Sequence, residues 1–133
     1  MEHRYPDLKT RIQSNFVDGI LMIVVMFAIA YFLDKTNENG ETENGAMKAI
    51  IFICIWGLYE PLSMTLGSTL GNYLMKIKVR KATDHTKRIN IFQAYVRFSI
   101  KILFGWVSFL TIHNNNQRRA IHDLVSGSVM LEK

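Results

Sequence analysis

The sequence predicts an all-α membrane protein with about three hydrophobic helical segments and a short C-terminal amphipathic helix. The chain has 133 residues, of which 49% are hydrophobic and 20% are charged. The apolar residues are concentrated in three long stretches, and a helix needs about 20 mostly apolar residues to cross a bilayer. Because a chain of this length forms one domain, we assign residues 1–133 to a single membrane domain.

The first hydrophobic segment, at about residues 12–33, contains a single charge, Asp18. It lacks the period-two alternation of a half-buried strand, which favours a helix. A buried helix of a soluble protein and a signal peptide are the alternatives. Three cations precede the segment and small residues at 28–30 resemble a cleavage site, but an aspartate inside the apolar region disfavours a signal peptide.

The second segment, at about residues 46–68, has Glu60 as its only charge after Ala49. Pro61 follows and has no backbone N–H, which predicts a kink or a break in the helix. Small residues then recur at every fourth position. They form either a ridge that lets another helix approach closely or the end of the helix. These candidate packing residues are Ser63, Gly67 and Gly71.

The third segment, at about residues 91–112, carries a polar stripe. Gln93, Arg97 and Lys101 are spaced by four, so they share one face of a helix. Such a stripe fits a helix that lies in the membrane interface. It fits equally a crossing helix whose polar side faces its own bundle. Gly105 is expected to interrupt this helix.

The charges between the segments predict an orientation. Residues 34–45 hold four acidic residues against one lysine, and residues 76–90 hold six Lys and Arg against one Asp. Because Lys and Arg are enriched on the cytoplasmic side, we expect the N-terminus and residues 76–90 in the cytoplasm and residues 34–45 outside. The basic 76–90 segment is also expected to contact anionic lipid.

The side of the C-terminus depends on the third segment. A complete third crossing places the C-terminus outside, whereas Arg118 and Arg119 favour the cytoplasm. A re-entrant or surface-lying third segment satisfies both expectations. Alternating residues near the start of the basic segment predict a short strand, and "SVML" at 128–131 is a candidate partner for residues 77–79 if both lie on one side.

Residues 117–126 predict a short amphipathic helix that docks on the cytoplasmic ends of the membrane helices. Docking would remove Asp123 from bulk water, so we expect it to pair with an arginine, either Arg97 or Arg119. The residues of the apolar face that would cover the membrane helices are Ile121, Leu124 and Val125.

Four motifs in this order resemble those of the RDD family of small bacterial membrane proteins. An arginine stands seven residues before an aspartate in the first segment, "GSTLGNYLMKIKV" leads to a basic strand, an arginine lies in the last segment, and "RRAIHDLVSGSV" ends the chain. Asn72 departs from the lysine usual in the second motif. The signature residues with their charge cluster are Arg11, Asp18, Arg97, Arg118, Arg119, His122 and Asp123, together with Gly67, Thr69, Gly71, Gly127 and Val129.

The resemblance implies an integral membrane domain of three segments without cofactor or catalytic chemistry. Some members of the family are associated with cation/proton antiport, and others are partners in larger membrane assemblies. From the residues, Asp18 is either a cation- or proton-binding carboxylate or part of a permanent ion pair, because an unpaired charge in lipid is costly. Glu60 is either a second ion ligand or a helix-end residue among the headgroups.

The sequence contains no motif of a common enzyme class, such as a Walker loop, HExxH or GxSxG. Its four histidines and one cysteine lack metal-site spacing, so we expect no metal, no cofactor and no enzyme activity. We expect an accessory or assembly subunit in the inner membrane, in contact with lipid and with other membrane subunits or a second copy, and not with nucleic acid. An oligomeric secondary transporter of the cation/proton antiporter type is the alternative.

Overall fold

The computed structural model describes residues 4–35 and 45–133. The predicted acidic loop at 34–45 therefore lies largely outside the described residues. The elements in chain order are helix α1 (Leu8–Lys35), helix α2 (Gly45–Leu66), helix α3 (Leu70–Leu74), strand β1 (Ile77–Lys81), helix α4 (Ile91–Phe104), a 3₁₀ helix (Gly105–Asn114), helix α5 (Ile121–Ser126) and strand β2 (Ser128–Glu132).

The fold class predicted from the sequence is confirmed. Within the described part of the chain, three helical segments are long and apolar enough to cross a membrane: Leu8–Leu33, Gly45–Leu66 and Ile91–Asn114. Large apolar side chains on α1 and α2, such as Phe16 and Ile53, point outward, as expected of helices surrounded by lipid. The first helix starts at Leu8, earlier than predicted, because the polar residues before Ile12 belong to its first turn.

The two strands pair as predicted. Strands β1 and β2 are antiparallel, with Ile77 opposite Glu132 and Lys81 opposite Ser128. The backbone N–H of Glu132 also donates to the carbonyl of Arg4 at 3.0 Å. The sheet therefore joins the C-terminus, the segment after α2 and the N-terminal segment on one side of the membrane.

The third segment enters and returns on that same side. Near its start, Ala94 packs with Ile77 and Val79 of the sheet. Near its end, Ile112 packs with Ala120, and Leu8 at the beginning of α1 lies against this pair. The segment therefore does not carry the chain across the bilayer, although its length and composition would suffice. The re-entrant or surface-lying arrangement is the one that reconciles the charge pattern with the sheet.

The predicted break at Pro61 does not occur, because α2 continues to Leu66. Membrane helices tolerate proline when neighbouring groups compensate for the missing hydrogen bond, and Pro61 is buried within the protein. The helix ends just before Gly67. This residue has a φ of 139°, which glycine adopts readily and which is strained for other residues. The predicted ridge of small residues along one helix, through Ser63, Gly67 and Gly71, therefore does not form, since Gly71 lies in α3.

Gly71 nevertheless permits the close approach of two helices. A Cβ atom at this position would lie 2.0 Å from the carbonyl oxygen of Ser14 and 2.9 Å from the carboxyl carbon of Asp18. Both neighbours belong to α1, so α3 packs on α1 at a distance that only glycine allows. Buried hydrogen bonds at the same contact, such as the Ser14 hydroxyl to Asn72 Oδ1 at 2.6 Å, hold it in place.

The predicted orientation of α5 is wrong. Leu124 and Val125 are 44% and 56% exposed, whereas His122, Asp123 and Ser126 are buried. The helix therefore turns its polar side inward and its apolar side outward. This arrangement is stable at a membrane, because lipid accepts the apolar side chains, while buried polar groups require partners that only the protein supplies.

Because the sheet holds the segment after α2 and the C-terminal segment on one side of the membrane, we predict how single cysteines react with an impermeant reagent. In a Cys54→Ser background, cysteines at Thr83 and Lys133 should be protected together in intact cells. A cysteine at Asn39, in the acidic loop, should be labelled from outside. Disrupted membranes provide the control, since all three should then react. A complete third crossing would give Lys133 the pattern of Asn39 instead.

A second prediction concerns the contact between α1 and α3. Gly71→Ala should destabilise the protein by about 1–3 kcal/mol, because the new methyl group meets backbone that cannot move aside. Gly57→Ala is the matched control, since a Cβ atom at Gly57 meets nothing within 4 Å. Thermal unfolding in detergent measures both. Equal melting temperatures for the two variants would contradict the close packing.

Candidate functional site

A buried charge cluster joins α1, α4 and α5. Asp123 is fully buried, and its two carboxylate oxygens accept from different arginines. Arg11 Nη1 lies 2.6 Å from Oδ2, and Arg97 Nη1 contacts Oδ1. The predicted partner Arg97 is therefore confirmed, and Arg11 is a second partner that the sequence did not indicate.

Neutral groups complete the surroundings of this carboxylate. The backbone N–H of Ala120 donates to Asp123 Oδ2 at 3.1 Å, as in a helix N-cap. The Ser128 hydroxyl receives a hydrogen bond from Arg97 at 3.1 Å and lies 3.5 Å from Asp123 Oδ1. Each of these donors stabilises the charged form of the carboxylate.

Arg118 and Arg119 flank the cluster without reaching the carboxylate. The Arg118 carbonyl accepts from Arg11, and the Arg118 side chain pairs with exposed Asp7 at 2.8 Å. Arg119 donates to the backbone carbonyls of Ser128 and Asp123 at 2.9 and 3.2 Å. The predicted pairing of the Arg119 and Asp123 side chains is therefore wrong, because two other arginines already occupy the carboxylate.

His122 lies beside the cluster as a neutral side chain. Burial, together with the nearby cations Arg97, Lys101 and Arg11, holds the pKa of His122 well below its usual value of 6.5. Ser108 Oγ accepts the backbone N–H of His122 at 3.3 Å and also contacts ring Nδ1. The other ring nitrogen, Nε2, lies on the side of Asp123, 3.6 Å from Oδ1.

The cluster carries a positive excess, since two buried arginines share one aspartate. Both Nε atoms, of Arg11 and Arg97, are buried without a hydrogen-bond partner in the described part of the chain. Such an arrangement is rigid and sensitive to the loss of any member. Its charged side chains pair with one another, and these pairs hold three elements together.

A second polar site surrounds Asp18, which follows Arg11 on α1 by about two helical turns. Its carboxylate accepts from the hydroxyl of Tyr59 at 3.0 Å, from the hydroxyl of Thr69 at 2.6 Å and from the backbone N–H of Gly71 at 2.8 Å. Tyr59 in turn accepts the backbone N–H of Leu70 at 3.0 Å. Among the described residues, Asp18 forms no ion pair, so it remains a half-buried carboxylate held by neutral donors.

Glu60 lies near this site and is paired. Lys101 Nζ is 2.7 Å from Glu60 Oε1, and both side chains are mostly buried. Of the two alternatives for Glu60, the helix-end position is wrong, because α2 continues past it to Leu66. The polar stripe of α4 faces its own bundle throughout, since Gln93 donates to the Ser126 carbonyl at 3.0 Å and Arg97 and Lys101 reach carboxylates.

Asp18, Glu60 and Lys101 also line a cavity of about 270 Å³ between α1, α2 and the third segment. The remaining wall is mainly aromatic and includes Trp56 and Trp106. The described part of the chain holds no group of three His, Cys, Asp or Glu residues arranged to bind a metal ion.

The structure therefore divides the predicted charge set into two sites. Arg11, Arg97, His122 and Asp123 form one, and Asp18 belongs to the other. Sequence analysis missed the neutral partners, which are Ser108, Ser126, Ser128, Tyr59 and Thr69. Thr69 was signalled only by its place in the glycine-containing motif, and the serines had no signal, because single hydroxyl residues are common in any sequence.

Comparison with known proteins gives one match that covers the chain. The family model described as the RDD family matches residues 5–127, nearly the whole length. The search finds no match among curated proteins and none among solved structures.

The charge cluster generates a prediction on stability. Asp123→Ala should lower the free energy of unfolding by about 3–5 kcal/mol, because it leaves two buried arginines uncompensated. Glu132→Ala, at a half-buried carboxylate near the chain end, is the control and should change little. Thermal unfolding of the detergent-solubilised protein measures both. If Asp123→Ala were as mild as its control, the cluster would not hold the fold together.

His122 generates a prediction on pH. The unfolded chain protonates this histidine below about pH 6.5 while the folded protein does not, so stability should fall as the pH drops from 7 towards 5. One proton contributes a slope of up to about 1.4 kcal/mol per pH unit. His122→Asn should flatten the curve by that amount. His113→Asn, at an exposed histidine, is the matched control, and an equal effect of the two substitutions would contradict the assignment.

Proposed function

This chain belongs to the RDD family, and we propose that it is a non-enzymatic accessory or assembly subunit of a membrane complex. The observation that supports this role is the outer half of α1. Ile23, Val24, Met26 and Phe32 are all at least 40% exposed. Successive residues of a helix are about 100° apart, so these side chains point in four different directions.

Such a helix has packing surface to offer on every side. The described residues of α2 include the exposed Ile50 and Ile53, so both crossing helices present apolar side chains outward. Helices in membranes associate through close packing, and a partner helix would find a long apolar surface here. Lipid covers the remainder.

The inner half of the molecule supports the same role. Its buried charges are tied to one another in the cluster around Asp123, which fixes the ends of the helices and leaves no free nucleophile or base at that place. Two crossing helices and one returning segment are too few to enclose a pathway. A rigid base with two exposed helices suits a subunit that holds or orders a larger neighbour.

We further propose that the protein lies in the inner membrane with its N-terminus in the cytoplasm. The basic segment at 76–90 supports this orientation, because Lys and Arg are enriched on the cytoplasmic side. The same segment would then face the anionic headgroups of the inner leaflet.

A second candidate function is an oligomeric secondary transporter of the cation/proton antiporter type. The cavity lined by Asp18 and Glu60 favours it, because carboxylates within a membrane protein are costly and often functional. A second copy would have to complete the pathway.

Photo-crosslinking in cells separates these functions. A benzophenone amino acid at Phe27, which is 66% exposed on α1, should give one cross-linked product of defined mass containing a different membrane protein. The same probe at Leu103, which is 76% exposed on the third segment, is the matched control and should label lipid. Purification of the cross-linked complex should show the two chains in a fixed ratio.

Two results would contradict the accessory role. Lipid adducts alone at both positions would mean that α1 has no protein partner. A product of twice the chain's mass, combined with sodium- or potassium-dependent proton flux in liposomes that Asp18→Asn abolishes, would instead identify the transporter.

A further inference from the structure

We propose that the cavity between α1, α2 and the third segment binds an amphipathic organic cation, with its ammonium group near Asp18 and its alkyl chain in an adjoining apolar groove. Three properties of the cavity support this ligand class: its charge, its aromatic wall and the apolar groove beside it.

The charges that line the cavity are unbalanced. Two carboxylates, Asp18 and Glu60, face one ammonium group, Lys101. Lys101 is already paired with Glu60 at 2.7 Å, and Asp18 accepts only neutral donors among the described residues. Within the cavity lining the Asp18 carboxylate therefore has no paired cation, and a monovalent cationic ligand matches it.

The wall of the cavity favours an organic cation. Trp56, Tyr59, Trp106 and Phe109 all line it, and the faces of aromatic rings attract quaternary and alkyl ammonium groups. A small inorganic ion would instead need several oxygen ligands converging on one point. The cavity volume of about 270 Å³ is several times the volume of about 30 Å³ that one water molecule occupies in the liquid. An alkylated ammonium group therefore fits.

An apolar groove of about 230 Å³ along α1 adjoins the cavity. Asn15, Gly19 and Trp106 line both spaces, so they share a wall. Beyond this wall the groove is lined by apolar side chains only, among them Phe16 and Ile20. A ligand with a cationic head and a hydrocarbon tail would match the two spaces in turn.

The protein carries its own reporter for this site. The chain has two tryptophans, and both Trp56 and Trp106 line the cavity. N-methylpyridinium, a cation that quenches tryptophan on contact, should therefore quench the fluorescence of the purified full chain in maltoside micelles and do so saturably. Hexyltrimethylammonium should displace it at a concentration at least about tenfold lower than tetramethylammonium, because a buried alkyl chain adds affinity with each methylene.

Substitutions separate head and tail. Asp18→Asn should lower the affinity for both ammonium ions by about tenfold or more, since the side chain loses its charge and keeps its shape. Asp7→Asn, at an exposed aspartate outside the cavity, is the matched control and should change neither. Phe16→Ser, in the groove alone, should remove most of the preference for the hexyl compound and leave tetramethylammonium unaffected. If Asp18→Asn does not fold, the displacement of N-methylpyridinium by the two ammonium ions on the unmodified chain still tests the proposal.

Three results would overturn the proposal. Displacement by hexanol as effective as by hexyltrimethylammonium would make the space an apolar crevice without cation selectivity. Displacement by sodium ions at the concentrations that tetramethylammonium requires would make it an inorganic cation site. Quenching that rises linearly without saturation would mean that the probe binds only to the micelle.

Discussion

The carboxylate of Asp123 is the constraint on which the rest of the structure depends. It is fully buried, and the groups that stabilise it come from the start of α1, the middle of α4 and the chain before α5. Ionised groups lose so much hydration on burial that an incomplete set of partners would be strongly unfavourable. The three elements must therefore meet at one place. Because Arg11 opens the first membrane helix and Asp123 lies near the end of the chain, this meeting keeps the C-terminal part beside the N-terminus and forces the third apolar segment to return.

The surrounding lipid explains why the polar residues turn inward at almost every contact. Between a membrane helix and lipid there is little hydrophobic gain, so helix packing is guided by hydrogen bonds, charges and shape. The α5 helix follows this rule when it buries Ser126 and exposes Val125. The α4 helix follows it with Arg97 and Lys101. The predicted orientation of α5 followed the rule for a helix facing water, which buries its apolar face, and the lipid surroundings reverse that rule.

Sequence analysis predicted the features that depend on composition and local pattern. The apolar stretches, the strand pair and the pairing of Asp123 with an arginine all follow from hydropathy, alternation or the cost of a buried charge. The missed features join residues far apart in the chain. Arg11 and Asp123 are separated by 112 positions, and Lys101 and Glu60 by 41. A single sequence contains no information on which of several arginines meets a given carboxylate, and hydroxyl partners such as Ser108 give no pattern at all.

The two polar sites differ in how firmly they are held, and this difference bears on function. Arg11 and Asp18 are seven residues apart, so they lie on the same side of α1 and about 10 Å apart along its axis. At Arg11 the polar stripe is paired with Asp123 of α5 and buried. At Asp18 it meets only neutral donors and borders an open cavity. The cluster around Asp123 fixes α1. The Asp18 carboxylate on the same helix can therefore keep a constant position without a paired cation of its own. The charge cluster thus provides the framework, and the part of the molecule that remains able to bind is the cavity above it.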